Sequence, residues 1–183
     1  MINQRIYDIL IPIKQQTIAK IEKNLRLPKN KLNIVKASVP ELNVLCTFEK
    51  TFTTLLGHAL QQIAEECGNS VINVDKDKKT SGIDLRTLFG EGQFKSNKNT
   101  QTGTHQKDSI RKLLETTSKN QTLPFFATAF GESYEYVKND ILFIGGEKFW
   151  SKIGVNYDDL YDTVVYVIQE IYDEVKSTIM LTL

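Results

Sequence analysis

The chain has 183 residues, 40% of them hydrophobic and 25% charged, with a net charge of +1. That is enough for one well-buried core and too little for two ordinary domains, and it argues against disorder throughout. No apolar run approaches the ~20 residues of a membrane-spanning helix, and Arg5, Asp8 and Lys14 interrupt the opening stretch as they would not in a signal peptide. A single domain over 1–183, in the cytoplasm and away from any membrane, is therefore expected. Cys46 and Cys67 show no metal-ligand spacing and read as buried, reduced thiols. Charge is unevenly spread: residues 1–120 hold 19 Lys or Arg against 12 Asp or Glu, and residues 121–183 hold 4 against 10. A basic face on the first two thirds suits a polyanionic partner.

In chain order, residues 1–27 carry Ile6, Leu10, Ile13, Ile18 and Ile21 at helical spacing, with Pro12 expected to break or kink the helix. The stretch with Pro28 and Pro40 reads as a loop, so the N-terminal helical segment covers 1–40. From Thr47 to Cys67 apolar residues recur by threes and fours, and Gly68-Asn69 closes a second helix. Three short strands follow: SVINVDKD, then SGIDLRTLF, then QFKSNKNT, the last antiparallel to the second after a glycine turn at FGEGQ. A helix at about 106–118 precedes LPFFATAFG, a continuous apolar run typical of a buried central strand. NDILFIGGEKFWSKIG gives a further strand, a Gly-Gly turn and the Phe149-Trp150 pair; a long helix over about 157–180 ends the chain. The order predicts one α/β domain around a mixed β-sheet flanked by helices.

The stretch Ser81 to Thr104 carries the chemistry. Asp84 sits on a short strand, a turn sends the chain back, and Gln93 and Lys95, two apart, project from one face. Such a hairpin gathers a carboxylate, an amide oxygen and an ammonium at one edge. Metal-assisted phosphodiester hydrolysis uses that set: Asp84 to hold Mg²⁺, Lys95 to orient the attacking water and stabilise developing charge. The competing structural role for Asp84 is to cap the hairpin or pair with Arg86.

In these residues the chain resembles the PD-(D/E)xK nuclease superfamily, which includes many type II restriction endonucleases. Ile83-Asp84 and Gln93-Phe94-Lys95, between the 47–67 and 106–118 helices, carry the resemblance, over roughly residues 50–145. It implies a restriction-endonuclease-like fold with its nuclease core at about 47–150. The implied catalytic residues are Asp84, Gln93 and Lys95, and the implied cofactor is Mg²⁺. Gln93 departs from the family's Glu or Asp: its side-chain oxygen can ligate a hard cation but adds no charge. Glu91, two residues earlier on the same face, or Glu65 or Glu66 on the preceding helix, would then supply the missing acid. Otherwise the protein is a catalytically inactive DNA-binding or regulatory protein of the same fold.

After Lys95 comes a polar run with Lys98 and Lys107 for phosphates and Asn97, Asn99 and Gln101 suited to adenine edges in a major groove. His105 stands close by at the start of a helix. The resemblance implies that this region faces double-stranded DNA, and that two copies pair as a homodimer, one on each half-site.

Overall fold

A computed structural model of the chain describes residues 1–26, 40–74, 82–97 and 103–182. Its elements run α1 (Gln4–Leu25), α2 (Pro40–Cys67), β1 (Ile72–Asn73), β2 (Leu85–Thr87), β3 (Gly90–Lys95), α3 (Gly103–Asn120), β4 (Pro124–Thr128), β5 (Tyr134–Lys138), β6 (Ile141–Gly145), α4 (Glu147–Lys152) and α5 (Tyr157–Thr182). Contacts divide them into two compact units, Met1–Ala59 with Asp159–Leu183, and Leu60–Asp158.

The first unit is helical. Asn3 caps α1, its side chain accepting from the Ile6 N–H at 3.2 Å. Ile6, Leu10, Ile13, Ile18 and Ile21 are buried along one stripe of α1, as their spacing predicts. Pro12 does not break this helix. It lies on the exposed face, where water can satisfy the carbonyl that its missing N–H leaves free. The Tyr7 hydroxyl donates to Glu170 at 3.0 Å, and Lys14 pairs with the same carboxylate at 3.4 Å, tying α1 to α5. Helix α2 begins at Pro40, not near Thr47. Proline suits the first helical turn, where no N–H is needed, and Glu41 beside it favours the helix dipole. Cys46 proves exposed and Cys67 half-buried, against the expectation of two buried thiols; neither forms a disulfide.

The second unit is a six-stranded mixed sheet in the order β1-β2-β3-β4-β6-β5. Strands β2 and β3 form the expected antiparallel hairpin, and α3 carries the chain from β3 to its parallel neighbour β4. The Phe125-Phe126 run lies centrally in β4, as its unbroken apolar character requires. On one face Phe126 joins Ile83, Leu113 and Ile141, with Ile110 of α3 packed against them. Phe94, next in line to Gln93 on β3 and so on the opposite face, meets Phe149 and Trp150 at ring distances of 4.9 and 5.7 Å. These two aromatics belong to α4, and the Trp150 indole donates to the Ala129 carbonyl at 2.8 Å.

Three strand assignments change. Gly90 and Gly92 are strand residues of β3, not the turn, which falls at Leu88-Phe89. A Cβ at Gly90 would lie 2.1 Å from the Leu123 carbonyl oxygen, and one at Gly92 would lie 2.2 Å from that of Phe125. Glycine stands there because neighbouring backbone comes too close for any side chain. β3 ends at Lys95, short of the expected run to Thr100. Strand β5, Tyr-Glu-Tyr-Val-Lys, is additional; Asn139 and Asp140, with φ of 51° and 60°, turn it into β6. That left-handed pair matches the twist of a tight hairpin.

Gly92→Ala is expected to cost about 2–4 kcal/mol in urea unfolding, because the Phe125 backbone cannot retreat. Gly57→Ala, in α2 with nothing within 4 Å of an added Cβ, is expected to gain about 0.5–1 kcal/mol.

Candidate active site

Asp84 stands one residue ahead of β2, slightly short of the strand expected to contain it. Leu85 lies opposite Gly92, and the Asp84 N–H also donates to the Gly92 carbonyl at 2.9 Å. Two residues thus share one partner, as at a β-bulge, and regular pairing stops there. Two positions further along β3, the Phe94 N–H points the same way and finds no backbone carbonyl. The Asp84 carboxylate takes that place, accepting from it through Oδ2 at 2.8 Å. The same oxygen receives the Lys95 ammonium at 3.0 Å. Both side chains are partly covered, 16% exposed for Asp84 and 26% for Lys95. Asp84 therefore does cap the hairpin, and its charge partner is Lys95, not Arg86.

Gln93 lies between Gly92 and Phe94, both of which are hydrogen-bonded to Asp84. Its side chain is on the face covered by α3 and only 5% exposed. The amide nitrogen donates to the carbonyls of Gly82 at 3.1 Å and Ser109 at 3.4 Å. Two acceptors fix which end of the amide is nitrogen. The oxygen, Oε1, is then directed away from both, buried and without a hydrogen-bond donor among the described residues. This arrangement suits a neutral side chain at position 93: a carboxylate there would set its negative oxygens against two carbonyl oxygens. A neutral amide is what the local backbone accepts.

Glu91 is neither a solvated turn residue nor a neighbour of Asp84's carboxylate. It is 1% exposed. Arg86 donates to its Oε1 at 2.5 Å, and Asn120 and Thr122 donate to Oε2 at 2.7 and 3.0 Å. Burial pushes its carboxyl pKa upward, but the hydrogen bonds from Asn120, Arg86 and Thr122 outweigh burial and hold it below the usual carboxylate range. Glu91 thus fastens β2, β3 and the end of α3 together as an ionised carboxylate with both oxygens engaged. Glu65, on α2, accepts the Asn73 N–H at 3.2 Å; Glu66 accepts from Gln62 at 2.6 Å. Among the described residues, no three His, Cys, Asp or Glu cluster in a way that could hold a metal ion.

Of the expected DNA contacts, Asn97 is exposed just beyond β3 and Lys107 is exposed on α3. Lys98, Asn99, Gln101 and the side chain of His105 lie outside the described residues. The structure brings Asp84 and Lys95 into contact, while the Gln93 side chain is engaged with Gly82 and Ser109 and Glu91 is held in its own hydrogen-bonded knot. The partners that sequence reasoning missed are the Gly82 and Ser109 carbonyls and the Asn120–Thr122 pair. Backbone carbonyls leave no side-chain signal, but a Glu flanked by two glycines on a hairpin opposite Arg86 was a usable hint. No protein-family model, curated protein or solved structure matches the chain.

A Gln93→Glu variant is expected to be less stable than the wild type, by about 1–3 kcal/mol near neutral pH. Its carboxyl would bind a proton more tightly when folded than unfolded. The deficit should then be smallest below the unfolded pKa of about 4.3 and grow as pH rises through the folded value. Urea unfolding at pH 4 and pH 7 checks this; a deficit independent of pH would contradict the two-carbonyl contact.

Proposed function

We propose that the chain is a metal-dependent DNA endonuclease hydrolysing phosphodiester bonds, of the restriction-endonuclease-like type. The observation that carries this is the Asp84–Lys95 contact of 3.0 Å, held at the edge where two antiparallel strands part. The order of elements around it, helix, three strands, helix, strand, is the one the resemblance implies.

In this reading Asp84 and Gln93 are the residues that would hold a hard divalent cation. Among the described residues, Gln93 Oε1 is a buried oxygen that no donor satisfies, and both hydrogen bonds to the Asp84 carboxylate fall on its Oδ2. Asp84 Oδ1 and Gln93 Oε1 would hold Mg²⁺, whose usual protein share is one or two carboxylates with waters and substrate phosphates completing the shell. Bound there, the ion supplies Lewis-acid stabilisation of the phosphate and a more acidic water. Lys95 has three ammonium protons, of which Asp84 takes one. The other two remain to orient an attacking water and to stabilise charge growing on a non-bridging phosphate oxygen. Asp84 keeps that ammonium aimed, and its own position is fixed by the Phe94 N–H. Asn97, Lys107 and, by sequence, Lys98, Asn99, Gln101 and His105 are the proposed DNA contacts. Two such chains facing one palindromic site form the proposed homodimer.

One observation favours a second reading. Gln93 is fitted to two backbone carbonyls, so its neutrality is built in, as would suit a DNA-binding protein of the same fold without catalysis.

Asp84→Ala separates the two. In an endonuclease it should lower cleavage by about a hundredfold or more and leave DNA affinity nearly unchanged. Wild-type affinity should fall with salt on a log–log slope of about −4 to −5 for ~5 phosphate contacts. Salt-independent binding would exclude both readings.

A further inference from the structure

We infer that a cleft between α1 and α2 binds the phosphate of a phosphomonoester; this does not depend on the nuclease reading, since every residue forming the cleft belongs to the helical unit. Where these two helices meet, part of the contact is polar. The Asn24 amide of α1 donates to the Thr47 hydroxyl of α2 at 3.0 Å, and the Asn43 amide donates to the Asn24 carbonyl at 3.5 Å. Thr47 and Asn43 are buried, 4% and 3% exposed, so each member of this network is held in place by its neighbours. Asn24 and Thr47 also line a cleft of about 450 Å³, a size usual for small-molecule sites.

Charge in that cleft is of one sign. Lys20 of α1 and Lys50 of α2 line it, and among the described residues no acid does. Neither lysine is paired with a carboxylate among the described residues, whereas Lys14, Lys95 and Lys152 each are. Thr51 adds a hydroxyl. Thr54 returns its own hydroxyl to the Lys50 carbonyl at 2.8 Å, as helical threonines commonly do; Thr51 makes no such bond among the described residues and lines the cleft. Two ammonium groups sharing one hollow attract an anion and repel a cation. A phosphomonoester carries about −1.5 to −2 near pH 7 and three strong acceptor oxygens, whereas a backbone phosphodiester carries a single charge. The lysine pair matches the monoester, and Thr51 and the second N–H of the Asn24 amide supply neutral donors beside it. Cys46 and Leu55 line the remainder, which has room for a small organic group.

Cys46 is exposed and lines this cleft, so its rate of alkylation by iodoacetamide, followed by mass spectrometry, reports occupancy. Cys67, half-buried and outside the cleft, is the control within the same molecule. The probes are inorganic phosphate and adenosine 5′-monophosphate, with adenosine as the phosphate-free counterpart. Both phosphates are expected to slow alkylation of Cys46 and not of Cys67, and adenosine is expected to slow neither. Lys20→Gln and Lys50→Gln should each raise the half-protecting concentration about tenfold. Lys176→Gln, an exposed lysine outside the cleft, should leave it unchanged. Short duplexes with 5′-phosphate or 5′-hydroxyl ends identify the source. Protection by the nucleotide and by neither duplex assigns a small molecule; protection by the phosphorylated duplex as well assigns a strand end. Equal protection by both duplexes would overturn the inference in favour of a backbone contact. Protection by adenosine, or none by either phosphate, would overturn it outright.

Discussion

A β-strand backbone N–H that is cut off from water must find an acceptor, and on β3 the N–H of Phe94 finds one in a side chain. The hairpin bulges where Asp84 and Leu85 both face Gly92, so the next carbonyl of the partner strand is missing and the Asp84 carboxylate fills the gap. That substitution fixes the carboxylate to the sheet more firmly than a surface rotamer could be. It also sets the position of Lys95, which follows directly on the strand and closes onto the same oxygen. Everything proposed for catalysis depends on this one bond, because it preorganises the acid and the cation before substrate arrives.

The surrounding polar groups are distributed so that charge is balanced locally. Glu91 and Gln93 share a strand face with Lys95, yet each is committed to a different neighbour. Glu91 is ionised and satisfied by three donors, and it binds the hairpin to the end of the crossover helix. Gln93 is neutral where its nitrogen faces two carbonyls, and its oxygen is left buried with no hydrogen-bond donor among the described residues. A buried acceptor without a partner costs stability. The cost of keeping Gln93 in place is offset by the two hydrogen bonds that hold its other end.

Much of this was legible in the amino-acid sequence, for reasons of period and composition. The stripe of α1, the unbroken apolar run of β4 and the amphipathic α5 all announce themselves through burial on one or two faces. The adjacency of Asp84 and Lys95 was readable too, since a short hairpin leaves few other ways to fold back. What was hidden depends on contacts between distant backbones. Gly90 and Gly92 look like turn residues, and only the approach of Leu123 and Phe125 shows why a strand uses them. Strand β5 is almost wholly exposed, so it lacks the alternation by which strands are recognised, although Asn139-Asp140 marks its turn. Pro12 reads as a breaker until its exposed position is known. Glu91 looked like a spare metal ligand because its three donors come from residues five to thirty-one positions away.

The most direct measurement is to incubate the purified protein with a mixture of long phage and plasmid DNAs in Mg²⁺, in Mn²⁺ and in EDTA, and to resolve the products on a gel. Discrete fragments that appear with either metal and vanish in EDTA are expected. Intact DNA in both metals, under conditions where the protein is folded and binds the same DNA, would contradict a catalytic role for the Asp84–Lys95 pair.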